Sequence, residues 1–138
     1  MKWASLTIAS AFLLATQAFA ARAADQADPT YWLPDRKMVE SLEPQVKMPQ
    51  YANPVGDYTR TYFGNTTPDG HRVIHAAFVL GGDRHLHLTD RPDPVPDDAY
   101  GKYCSVVVFS YVIEYKYFWN VVCAAQPVPI AEPPLRER

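Results

Sequence analysis

Four histidines crowd residues 71–87 of this 138-residue chain: His71, His75, His85 and His87. Alternate side chains of a strand share a face, so His85-Leu86-His87 presents two imidazoles together, and His71 and His75 do the same. Zinc and copper take imidazole readily, but a site needs three or four converging groups. The turn between the two pairs decides whether they converge. With Leu80 opposite His85, the pairs face opposite ways; with Val79 opposite His85, His75 joins His87 on one face beside Thr89. A metal reading therefore rests on His75, His85 and His87, and its alternative is a set of exposed polar strand positions.

The other groups able to do chemistry are fewer. Cys104 and Cys123 are the two cysteines, and in an exported chain two cysteines pair with each other. A metal pair or free thiols are the competing readings, and no further ligands flank either residue. The run Asp90-Arg91-Pro92-Asp93-Pro94-Val95-Pro96-Asp97-Asp98 offers carboxylates but lacks the alternating spacing and central glycine of a calcium loop. Its prolines suggest a stiff, solvated connector. Ser105 and Ser110 have no nucleophile-elbow motif around them, and Gly81-Gly82 is too little glycine to cradle a phosphate. Nothing fixes the separation of Glu114 from the aspartates for acid and base work. Asn65-Thr66-Thr67 matches a glycosylation acceptor, which matters only in a eukaryotic secretory route.

Compartment follows from the first residues. Lys2 gives a short positive start, Ala4 to Ala15 is uncharged and apolar, and Ala18-Phe19-Ala20 places small residues where a signal peptidase reads. A second possible cut follows Ala21-Arg22-Ala23. The apolar run is too short to span a bilayer. We therefore expect a signal peptide over 1–20 and a periplasmic or secreted product. Removing it leaves 118 of 138 residues, one modest domain, and takes away Lys2, so the formal charge goes from -2 to -3. A mildly acidic chain without a basic run excludes nucleic acid and anionic membrane surfaces as main partners.

The elements that must position these groups read as one helix and then β-structure. Residues 21–33 are small and polar, a flexible lead. Pro34 to Glu43 predicts a helix, with Pro34 in its first turn, Asp35 near the positive end and Pro44 stopping it. Strands are predicted at 58–63, 71–80, 85–89, 103–113 and 118–125, with glycine- or proline-rich turns between most of them. Residues 34–125 thus form a single α+β domain, a short helix on an antiparallel meander of four to five strands. Residues 126–138, with four prolines, make an extended tail. Residues 103–125 are apolar enough to suggest a membrane span, but Glu114 and Lys116 at their centre oppose it, and we expect no span in the mature chain. The order of elements resembles small cystatin-like α+β modules, a similarity of architecture that implies no function.

If the two cysteines face each other across the last hairpin, Val106 meets Val121, Val108 meets Trp119 and Ser110 meets Tyr117. The other face then carries Val107, Phe109, Tyr111 and Phe118. Both faces are apolar, and one short helix covers only one. Either the chain's own segments fold over Val107, Phe109, Tyr111 and Phe118, or a protein partner or second copy does. The sequence thus points to an exported binding module rather than an enzyme, one that contacts a protein partner or a second copy through this hairpin face. No cofactor is expected; a zinc- or copper-binding protein using the strand histidines is the alternative. A small hydrolase using loop carboxylates is the weaker one.

Overall fold

A computed structural model describes residues 30–127. The expected signal peptide, most of the 21–33 lead and all but two residues of the 126–138 tail lie outside the described residues.

Chain order begins with a two-residue strand β1 (Tyr31–Trp32) and the helix α1 (Arg36–Leu42). Asp35 caps α1 by accepting a hydrogen bond from the Met38 amide at 3.0 Å, which satisfies one of the free N–H groups of the first turn. The helix passes into a short 3-10 turn, Glu43–Gln45, at Pro44. Strands β2 (Tyr58–Thr66), β3 (Arg72–Leu80), β4 (Leu86–Thr89), β5 (Val106–Val112) and β6 (Tyr117–Cys123) follow. Together with β1 they make a six-stranded, mostly antiparallel sheet in the order β1-β2-β3-β5-β6, with β4 also on β2. The fold is α+β, with one short helix and one disulfide.

Placement of β4 departs from a simple meander. The chain leaves β3 through Gly81 and Gly82, both at positive φ, passes the start of β2, and pairs β4 in parallel with Arg60–Phe63. A hairpin of β4 on β3 does not form because β5 occupies that edge, pairing Val73–Val79 with Val106–Val112. β5 is apolar on both faces and belongs in the sheet interior, whereas β4 alternates and suits an edge.

Each sheet face has its own cover. On the inner face Tyr58, Tyr62, Phe78, Val107 and Phe109 pack against Val39 and Leu42 of α1, with Val46, Met48, Ala52 and Val55 extending the lid. Glu43 accepts from Arg60 Nε at 2.6 Å and from the Tyr62 hydroxyl at 3.0 Å, tying the end of α1 to β2. Next to this, Gly64 lies under the Trp32 ring, where a Cβ would overlap the indole. The outer face carries Phe63, Val73, His75, Val106, Ser110 and Val112, all buried.

Cys104 and Cys123 are joined by a disulfide, but not as a cross-strand pair. Cys104 precedes β5 at positive φ, and Cys123 stands opposite Val107. The pairing therefore differs from the one expected: Val108 meets Val122, Ser110 meets Trp119, Tyr111 meets Phe118 and Val112 meets Tyr117. A register shift between Val108 and Ser110, with Asn120 at positive φ, accommodates the difference as a bulge. The connecting turn is Ile113–Lys116, closed by Lys116 at positive φ.

Candidate ligand-binding site on the outer sheet face

The site is built on the three neighbouring strands β2, β3 and β5. Phe63, His75 and Ser110 stand in one row across them, since Phe63 pairs with His75 and His75 with Ser110. His75 stacks on Phe63 with ring centroids 5.0 Å apart and planes 26° apart. Its Nδ1 lies 2.8 Å from Ser110 Oγ. Above this row is a cavity of about 380 Å³. Residues of the 92–100 loop wall it, among them Pro92, Val95 and Tyr100, and Val108 and Trp119 complete its apolar lining. Asp93, Asp97 and Asn120 also line it, and among the described residues no lysine or arginine does.

The electrostatics of the floor are those of a neutral, desolvated imidazole. His75 is 6% exposed, and burial lowers its pKa from 6.5 to about 4, because a charged ring there has lost its water. Its Nε2 is buried and has no hydrogen-bond partner among the described residues. Trp32 Nε1 and His71 Nδ1 are likewise unpartnered, but neither residue lines this cavity. At the wall, burial together with the nearby Asp97 carboxylate raises the Tyr100 phenol above its ordinary pKa.

The histidines named by the sequence do not come together. His75 and His87 do point to the same face, as His87 pairs with Thr61 and His75 with Phe63, but β2 stands between them. Two strand spacings and two residues of offset put their Cα atoms about 12 Å apart. His87 instead bonds Asp83 through Nε2 at 2.6 Å on the exposed surface. The Asp83 carboxyl is held below its usual range, first by the backbone amide of His85 and also by His87. His71 bonds the Tyr115 hydroxyl at 3.1 Å and stacks on that ring. Among the described residues no three His, Cys, Asp or Glu side chains form a metal cluster, so the zinc or copper set of His75, His85 and His87 has no shared centre.

The hairpin face is placed differently from the contact surface expected for it. Val107, Phe109 and Tyr111 are 0%, 4% and 8% exposed, and Phe118 packs half-buried against them, 4.8 Å from the Tyr111 ring. Val39 and Leu42 of the helix belong to the same cluster, so Val107, Phe109 and Tyr111 form core and Phe118 lies at its edge. Asn65, the expected glycosylation acceptor, is buried in β2 and paired with Tyr31.

Sequence reasoning missed Ser110 and Phe63 as partners of His75, and the loop as a wall. The loop's prolines were visible, but the strand order that brings the loop over His75 was not. Among the described residues, no helix is long and apolar enough to cross a membrane. A second, open groove of about 610 Å³ lies near Asp57, Arg84, Asp98 and Lys102; its charges are mixed and none of the unpartnered buried groups reaches it. No family model matches this chain, and no curated protein or solved structure shows significant similarity to it.

Proposed function

We propose that this protein is an exported binding module that takes up a small, largely apolar molecule in the cavity on the outer sheet face. The observation that carries the reading is the cavity itself. Its volume of about 380 Å³ falls in the range of small-molecule sites, which are mostly apolar with a few placed polar groups. Here the polar groups are His75 and Ser110 at the floor and Asp93, Asp97 and Asn120 around it, and the rest of the lining is aromatic and aliphatic.

Binding accounts for this chemistry better than hydrolysis does. A serine–histidine pair acts as a nucleophile only if the imidazole can take a proton and a third group orients it. His75 holds its proton poorly, and no carboxylate bonds its second nitrogen. Burial of Val107, Phe109 and Tyr111 in the inner core favours the cavity over a protein contact through this face. The likeness to cystatin modules stays at the level of a helix before a sheet and supplies no site.

Ala77 lines the same cavity and is only partly buried, so Ala77→Phe fills the space with little demand on the core. The test is quenching of tryptophan fluorescence, with Trp119 in the lining, by an uncharged naphthalene probe. Saturable quenching of the wild type that is lost in a folded Ala77→Phe protein supports the reading. Absence of quenching in the wild type, or equal quenching in both, refutes it.

A further inference from the structure

We infer that the chain supplies its own occupant for this cavity, the apolar stretch Val128-Pro129-Ile130-Ala131, which a ligand must displace. The inference rests on the proposed function and adds how that site is regulated.

The course of the chain after β6 carries it. The Ala124 amide donates to the Val106 carbonyl at 2.8 Å, and Ala124 is buried. This fastens the chain to the start of β5 just beyond the disulfide at Cys123. Three residues later Pro127 is exposed and lines the cavity together with Ala77 and Val108. Pro127 is also the last described residue, so the described chain ends at the cavity itself.

Length and chemistry suit the residues that follow. The cavity of about 380 Å³ is about 9 Å across if round, and an extended chain advances at most about 3.3–3.6 Å per residue. Val128 to Ile130 thus matches its width. These side chains are apolar, as are the walls from Phe63, Val95, Val108 and Trp119, so contact removes apolar area from water on both sides. Pro129 has a fixed φ, which reduces the freedom lost on docking. Because the tether starts at the cavity, the local concentration of the segment is of millimolar order. A small molecule therefore meets a built-in competitor, and its apparent affinity falls by the share of time the segment holds the site.

The test uses the full chain, labelled at isoleucine δ1, valine and alanine methyls. Ile8, Ile74, Ile113 and Ile130 are all the isoleucines of the sequence, so the Ile130 signal is simple to assign. We expect nuclear Overhauser contacts from the Ile130 methyl to the Ala77 and Val108 methyls, lost on adding an uncharged naphthalene probe. By tryptophan quenching, Ile130→Asp should bind that probe about tenfold more tightly than the wild type, the equivalent of one buried apolar side chain. Equal affinities, or an Ile130 methyl without those contacts, overturns the inference and leaves the cavity reading standing. Contacts seen only between differently labelled copies in a mixed sample place the segment in a neighbour's cavity and overturn it as well. Failure of the probe to bind either protein removes the cavity reading, and the Ile130 contacts of the wild type then decide the inference by themselves.

Discussion

His75 turns burial into a pH dependence. The ring is 6% exposed, and desolvation alone lowers its pKa from 6.5 to about 4. The unfolded chain takes up this proton below about 6.5, whereas the folded chain refuses it until about 4. Between those values the unfolded state binds more protons, so stability rises with pH. The contribution of neutral His75 is complete above 6.5 and is lost as the pH falls toward 4. At roughly 1.4 kcal/mol per pKa unit, the displacement is worth about 3 kcal/mol. Against a total of roughly 5–15 kcal/mol for a domain, that is a large share.

Urea unfolding from pH 7 down to pH 4, on the wild type and on His75→Phe, isolates this contribution. Phenylalanine keeps the stack on Phe63 and cannot titrate, and the Ser110 hydroxyl it strands is a loss that does not vary with pH. Carboxylates held below their usual range, such as Glu114 with the Arg72 amide and guanidinium beside it, begin to lose their contribution only at the acid end of this interval and are common to both proteins. The wild type should therefore fall by about 3 kcal/mol more than the variant across the interval. Parallel profiles, or a His75 midpoint near 6.5 in an NMR titration, would refute the reasoning.

The remaining expectations concern packing and pairing. Glu43→Gln leaves the Arg60 guanidinium without its counter-charge at a side chain only 14% exposed; we expect a loss of about 2–3 kcal/mol in chemical denaturation, and an unchanged midpoint would show the pair to be idle. Gly64→Ala drives a methyl into the Trp32 ring and should cost about 1–3 kcal/mol, with a shift in tryptophan emission as the indole is displaced. Phe109→Asp places a carboxylate in the inner core at 4% exposure, so circular dichroism should show an unfolded chain; a folded variant would mean that this face is not core. Cys104→Ser with Cys123→Ser opens a loop spanning a sequence separation of 19 and should lower stability by about 3 kcal/mol.

The local grammar of the sequence carried the elements well, because each depends on near neighbours. Pro34, Asp35 and Pro44 bracket a helix that runs Arg36–Leu42, and the glycine- and proline-rich stretches mark where strands stop. Pairing was less legible because it is a competition among distant segments. Nothing in residues 81–89 says that β5 will occupy the edge of β3 and send β4 to the far side of β2. The disulfide illustrates the same gap. Cys104 and Cys123 bond, yet Cys104 sits outside the strand, so period-two counting from the pair put every partner of β5 out of register by two or three positions. The sets of residues sharing a face survived for Val107, Phe109, Tyr111 and Phe118, because an even shift at Phe118 preserves the face. Which cover lies on which face did not, and that decided whether these residues were core or contact.

The outer cavity follows from the same competition. A sheet apolar on both faces needs two covers. The inner one is a helix whose Val39 and Leu42 reach into the core. The outer one includes the 92–100 loop, with Pro92, Pro94 and Pro96 spaced along it. Proline fixes the backbone torsion φ and removes a donor, so such a segment is poorly suited to join the sheet as a strand. Together with Ala77 and Val108, whose side chains are short, it lines a cavity that stays open. Burying an imidazole beneath that void destabilises the fold in acid and leaves its Nε2 without a partner among the described residues. A close-packed interior would be expected to eliminate both defects. Their coincidence at one point, under a stiff strap, is what favours a site shaped for an occupant over an accident of packing.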